Sequence, residues 1–127
     1  MPNLIEWSKK YESGIEFIDY EHSKLIELIN ELYNKQCLNE PKGTVADCFG
    51  RLHARVAAHF ALEENLMREK KFGSFKSHKR SHEMMLEDLR DMMDEHQENI
   101  FADHPDLLAQ RLTDWLSQHF RRPETVF

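Results

Sequence analysis

Turn-forming residues are scarce in this chain, with four glycines and four prolines among 127 residues. That scarcity argues against an all-β fold with its many tight turns, against collagen-like repeats and against low-complexity disorder. Cysteine is scarcer still. Cys37 and Cys48 stand eleven residues apart, in neither metal-binding nor redox spacing and each beside apolar neighbours, so both are expected as buried, reduced thiols. Long apolar runs are missing as well. Nothing approaches the ~18–20 residues of a membrane span, and the opening MPNLIEWSKKYESG lacks the apolar core of a signal peptide. These absences point to a cytoplasmic protein that does not engage a membrane. Basic residues do not dominate: 17 Lys and Arg against 23 Asp and Glu leave a net charge of −6, which disfavours a nucleic-acid partner and an anionic lipid surface.

What is present fits one globular domain over residues 1–127, a length in the single-domain range. Such a chain buries roughly two thirds of the surface its unfolded form exposes, and 40% hydrophobic with 31% charged residues suits that balance. No exposed apolar stripe demands a partner, so a monomer is expected. Histidine is in excess, at eight residues. The excess carries meaning only if these side chains converge.

Apolar and histidine positions recur at steps of three and four in four segments, roughly 18–38, 44–70, 75–98 and 105–121. The first stripe is His22, Leu25, Ile26, Ile29, Leu32 and Tyr33, with Asp19 as a cap. Asn39 to Gly43 reads as a turn broken by Pro41 and Gly43. The second stripe is Val45, Cys48, Phe49, Leu52, Val56, His59, Phe60, Glu63 and Met67, capped at Thr44, with Gly50 an internal weak point. The third is Phe75, His78, His82, Met85, Leu89, Met92 and Met93. The fourth is Leu108, Leu112, Trp115 and His119, starting at Pro105 and stopped by Pro123. Short connections between long amphipathic helices favour antiparallel neighbours. The expected fold is therefore all-α, an up-down-up-down four-helix bundle preceded by an N-terminal arm, residues 1–17, whose Leu4, Ile5, Trp7, Ile15 and Phe17 pack on it.

Every helix places a histidine on its buried stripe: His22, then His59, then His78 and His82, then His119. Glu63 follows His59 by four residues, so the two share a face, as do His78 and His82. Buried Glu is rare unless paired or metal-bound. Five neutral imidazoles in one core bring ten ring nitrogens that each need a partner, at about 1–3 kcal/mol for each left without one. A metal takes one nitrogen of each ring. Five imidazoles exceed one tetrahedral zinc, and imidazole with carboxylate suits Fe, Zn, Cu or Ni rather than Mg or Ca. Five histidines with carboxylates can serve two metals. The Glu-x-x-His motif of ferritin-like di-iron bundles is absent from the sequence.

These residues carry a resemblance. IEWSKKYESGIEFIDYEH resembles the N-terminal arm and first ligand of the bacterial hemerythrins, HFALEENLM their His-x-x-x-Glu, SHKRSH their His-x-x-x-His and DWLSQHF their Trp-Leu-x-x-His. The likeness covers nearly the whole chain. It implies a non-haem centre of two iron ions that binds dioxygen reversibly. His78, His82 and His119 would serve one iron, His22 and His59 the other with an open position, and Glu63 would bridge them. Trp115, Leu116, Met85 and Leu25 are candidates for a dry lining. The family's second bridge is usually Asp, five residues after the last histidine; here that position is Glu124. An unbroken helix would turn it roughly 140° away from His119, so Glu124 bridges only if the helix ends first, as Pro123 favours.

Outside this pattern, His53, His96 and His104 are expected on the surface or in loops, and Glu64, Glu69, Lys70 and Lys71 on solvated faces. Asp19, Tyr20 and Glu21 flank a ligand position and are candidates for supporting hydrogen bonds. The leading function is oxygen carriage, storage or delivery, without catalysis. The competing readings are a sensor module acting on a partner protein, a di-iron enzyme reducing peroxide or nitric oxide, and a zinc-filled site.

Overall fold

The computed structural model describes residues 3–12, 14–69 and 75–120, without the side chains of Lys10, Phe75, His119 and Phe120. After a 3-10 turn at Lys9–Tyr11 come four helices: α1 (Glu16–Cys37), α2 (Lys42–Glu69), α3 (Phe75–Gln97) and α4 (Pro105–Phe120). No strand occurs among the described residues. Helix α1 packs on α2 and α4, and α3 packs on the same two. This is the closed ring of an all-α four-helix bundle. Polar contacts fix the directions. His22 near the start of α1 lies beside Glu63 near the end of α2, which in turn lies beside His82 near the start of α3. On α4, Arg111 reaches back to Asp88 and Glu95 of α3, while Trp115, one turn further on, donates its indole N–H to the Met85 carbonyl at 2.8 Å. Neighbouring helices therefore run antiparallel.

The helix ends differ from the sequence expectation in instructive ways. Helix α1 begins at Glu16, and the residue at its N-cap is Ile15, which makes no side-chain capping bond; Asp19 lies inside the first turn with Glu16. Acidic side chains there favour the positive end of the helix dipole without serving as the cap. Helix α2 begins at Lys42, not Thr44, because the Pro41 carbonyl accepts from the amides of Thr44 and Val45 at 2.9 and 3.2 Å. Gly43 is thus inside the helix and breaks nothing. The turn after α1 is made by Asn39, at φ 55°. Its amide donates to Gln36 and that of Glu40 to Lys35. Asn99, at φ 65°, repeats the arrangement after α3, with Asn99 on His96 and Ile100 on Glu95. Both are left-handed helix stops of the kind Asn tolerates. The expected close of α2 at Lys71 to Ser74, and Pro123, lie outside the described residues.

The core runs the length of the bundle, and Leu25, Ile29, Leu32, Phe49, Leu52, Val56, Phe60, Leu89, Met92, Phe101, Leu108, Leu112 and Trp115 are essentially inaccessible. Cys48 is buried as expected, but Cys37 is only half-buried; both are free thiols. Asn30 is one of the side chains that hold the arm. Asn30 of α1 accepts from the Ile5 amide and donates to the Ile5 carbonyl, both at 2.9 Å. Ile5 and Tyr11 are buried under this clamp, whereas Trp7 and Phe17, expected to pack, are exposed. At the opposite end, Gln36 donates to the Phe101 carbonyl, Lys42 to that of Gln97, and His96 to that of Lys42 at 3.0 Å. His96 is therefore not a surface residue. It is buried, packed against the Phe49 ring. His53 is half-buried, and His104 is exposed in the connection before α4.

Candidate metal centre

The antiparallel order brings the first turns of α1 and α3 and the last turns of α2 to one end of the bundle, and the chemistry-bearing side chains lie there. Glu63 is at the centre, with 0% exposure, as is His59. The four-residue step between them puts both on one face of α2, and His59 Nε2 lies 3.1 Å from Glu63 Oε2. From α1, His22 Nε2 approaches the same oxygen at 3.5 Å. From α3, His82 Nε2 approaches the other oxygen, Oε1, at 3.3 Å. One carboxylate thus faces imidazoles from three helices, with its two oxygens turned to different partners.

The rings are held from outside as well. His22 donates its Nδ1–H to the Tyr11 carbonyl at 3.0 Å, so the 3-10 turn of the arm sets its orientation. The ring of His82 stacks on Phe60, 4.0 Å between centroids and 4° from parallel, while its Nδ1 lies 2.9 Å from Glu64 Oε2. Burial alone would pull the His82 imidazole below its usual 6.5, but the hydrogen bonds and charge of Glu63 and Glu64 outweigh it and hold the pKa above that value. Beside the site, Arg55 of α2 forms two parallel hydrogen bonds to Glu21 of α1, at 3.1 and 3.0 Å.

This donor set fits a cation. A single buried carboxylate can balance one proton on the surrounding rings, and a second charge there costs heavily. A metal accepts the nitrogen lone pairs directly. Atoms of His22, His59 and Glu63 all lie within 4.8 Å of one another, close enough for one ion. Mixed imidazole and carboxylate donors suit Fe, Zn, Cu or Ni.

A family model described as the hemerythrin HHE cation binding domain matches residues 13–127. The chain belongs to the hemerythrin family. It is similar to a bacteriohemerythrin of Pseudomonas aeruginosa, 29% identical over 127 residues, which are all of this chain and 80% of the relative. A bacteriohemerythrin of Aquifex aeolicus is 28% identical over 120 residues, 94% of this chain and 91% of the relative. A myohemerythrin of Sipunculus nudus is 23% identical over 121 residues, 95% and 88% of the two chains. No solved structure gives a significant match.

Of the hemerythrin-type residues marked in the sequence, the structure brings His22, His59, Glu63 and His82 together. His78 is buried on the same face of α3, its ring 6.4 Å from that of His82. His119 lies in the last turn of α4, but its side chain is outside the described residues, as is the whole of Glu124. The suggested lining residues Trp115, Leu116, Met85 and Leu25 are all buried. Three partners were not marked. The Tyr11 carbonyl is main chain and has no sequence signature. Phe60 was seen only as one more stripe residue. Glu64 was assigned to solvent, yet it is half-buried against His82; its signal was the paired carboxylates of HFALEENLM, one for each edge of a ring on the next helix.

Proposed function

We propose that this protein binds dioxygen reversibly at a non-haem centre of two iron ions, for carriage, storage or delivery rather than catalysis. The proposed ligands are His22, His59, Glu63, His78 and His82, with His119 and Glu124 completing the set. The observation that carries the reading is Glu63, whose Oε2 faces His22 and His59 while Oε1 faces His82, an arrangement that would let one carboxylate serve two ions. When bound, a ferrous pair supplies the electrons that dioxygen borrows and returns.

The chain's own residues do the rest. Glu63 contributes negative charge where cations gather, and the imidazoles contribute neutral nitrogen donors that leave the charge of the site low. The Tyr11 carbonyl holds the Nδ1 proton of His22 and so leaves its Nε2 lone pair directed at Glu63. Phe60, essentially inaccessible and packed against the rings of His82 and His59, keeps water from the buried faces of these candidate ligands, and a dry site slows side reactions that need protons. Among the described residues no helix is long and apolar enough to cross a membrane.

The test is a ferrous sample prepared without oxygen and then exposed to air, with iron content and visible spectrum recorded. The expected result is two irons per chain and a colour that appears in air and disappears under argon. Direct passage to a stable ferric spectrum, or zinc as the native metal, would overturn the reading.

A further inference from the structure

Glu63 and Glu64 are neighbours on α2, yet they reach opposite edges of one ring. Glu63 Oε1 lies 3.3 Å from Nε2 of His82, and Glu64 Oε2 lies 2.9 Å from its Nδ1. Successive helical residues point about 100° apart, so a ring inserted between them from α3 meets both. The Phe60 ring, stacked at 4.0 Å, closes off one face of the imidazole. Glu63 is fully buried, while the side chain of Glu64 keeps 15% exposure.

A neutral imidazole has one N–H donor and one lone pair, and a carboxylate can only accept. Both ring nitrogens of His82 face a carboxylate, and the shorter contact, 2.9 Å at Nδ1 against 3.3 Å at Nε2, puts the single proton of a neutral ring on the Glu64 side. We propose that Glu64 is a positioning residue for the metal centre, an inference that rests on the function proposed above: its carboxylate accepts the Nδ1–H of His82, fixes the tautomer whose lone pair sits on Nε2, and aims that nitrogen into the centre beside Glu63. The contact also makes His82 a stronger donor, because a negative charge hydrogen-bonded to one side of an imidazole raises the basicity of the other. His22 is held by a carbonyl instead, so the two rings meet Glu63 with unequal donor strength, and the His82 side of the centre is the side that Glu64 reinforces.

The experiment compares the full-length chain with Glu64→Leu and Glu64→Gln by anaerobic ferrous titration against a chromophoric chelator. It also follows the His82 Nδ1–H by proton and nitrogen NMR in the zinc-loaded chain. Glu64→Leu is expected to weaken binding of one of the two equivalents about 10–100-fold and to abolish the slowly exchanging, downfield Nδ1–H signal. Glu64→Gln keeps an acceptor oxygen without the charge, so it is expected to retain the signal, shifted upfield, with a smaller loss of affinity. Wild-type ferrous affinity in Glu64→Leu, or a Nδ1–H signal indifferent to both substitutions, overturns the proposal. A wild-type chain that takes up no iron overturns the metal-centre reading instead. The Nδ1–H signal of the metal-free chain at alkaline pH then still decides whether Glu64 sets the tautomer.

Discussion

His22 donates its Nδ1–H to the main-chain carbonyl of Tyr11, eleven residues earlier in the chain. A residue proposed to hold iron is thus oriented by a segment outside the helices, and that segment is itself pinned by Asn30 through two hydrogen bonds to Ile5. The link runs from a buried amide on α1, through the arm, back to the ring of His22 on the same helix.

Asn30→Ala releases this clamp. Loss of two buried hydrogen bonds is expected to cost about 1–3 kcal/mol, lower the melting temperature and remove the exchange protection of the Ile5 amide. Ferrous affinity should fall with it, because His22 loses its fixed partner. Hydrogen exchange and metal titration on one sample check both. An unprotected arm with unaltered iron binding would show that His22 is oriented without Tyr11.

Glu63→Gln leaves the shape of the site intact but removes its negative charge. The variant is expected to fold and to take up at most one iron per chain in place of two. Metal analysis after anaerobic loading, with helicity by circular dichroism, is the measurement, and two tightly held irons in the variant would remove Glu63 from its proposed bridging position.

His53 supplies a pH dependence that is separate from the metal. Burial first, and then the positive charge of Arg90, holds its imidazole below the usual 6.5. Its Nε2 is buried and has no hydrogen-bond partner among the described residues. As pH falls below 6.5, the unfolded chain takes up a proton that the folded chain resists. The unfolded state then binds more protons, and stability declines with falling pH. Above that value His53 is neutral in both states and contributes no slope. His53→Gln should flatten the acid limb of a plot of melting temperature against pH, and NMR titration should place the His53 midpoint below 6.5. A midpoint at or above the ordinary value would contradict the burial argument.

Gly50 offers a gain in stability. It lies exposed in the middle of α2, and a Cβ added there meets nothing within 4 Å. Gly50→Ala is expected to stabilise by about 1 kcal/mol, which corresponds to about 4 °C in a chain of this size. A thermal melt at unchanged iron content decides it.

How much of this was legible in the sequence depends on whether a residue announces itself through period or only through a neighbour. His59 with Glu63, and His78 with His82, are spaced at the helical repeat among apolar residues, so their common face could be read directly. The four helices followed from the same repeat. Glu64 was misplaced because a helix wheel counts only the residue's own helix, whereas its partner comes from α3. His96 was misplaced for the same reason: nothing within α3 reveals that the Lys42 carbonyl waits across the bundle. The Asn39 and Asn99 stops lay in segments correctly read as connections, but their left-handed backbone depends on which carbonyl each following amide finds. The Tyr11 carbonyl could not be read at all, since every residue carries the same main-chain carbonyl and the sequence distinguishes only side chains.

The ties among Gln36, Lys42, His96, Gln97 and Phe101 sit at the end of the bundle away from His22, His59, Glu63 and His82, and their chemistry owes nothing to an ion. The scaffold is consequently a clothes-peg with a permanent spring at one end and an editable jaw at the other. Substitutions among the donor atoms of the jaw are expected to leave the spring folded, which the helicity of Glu63→Gln measures.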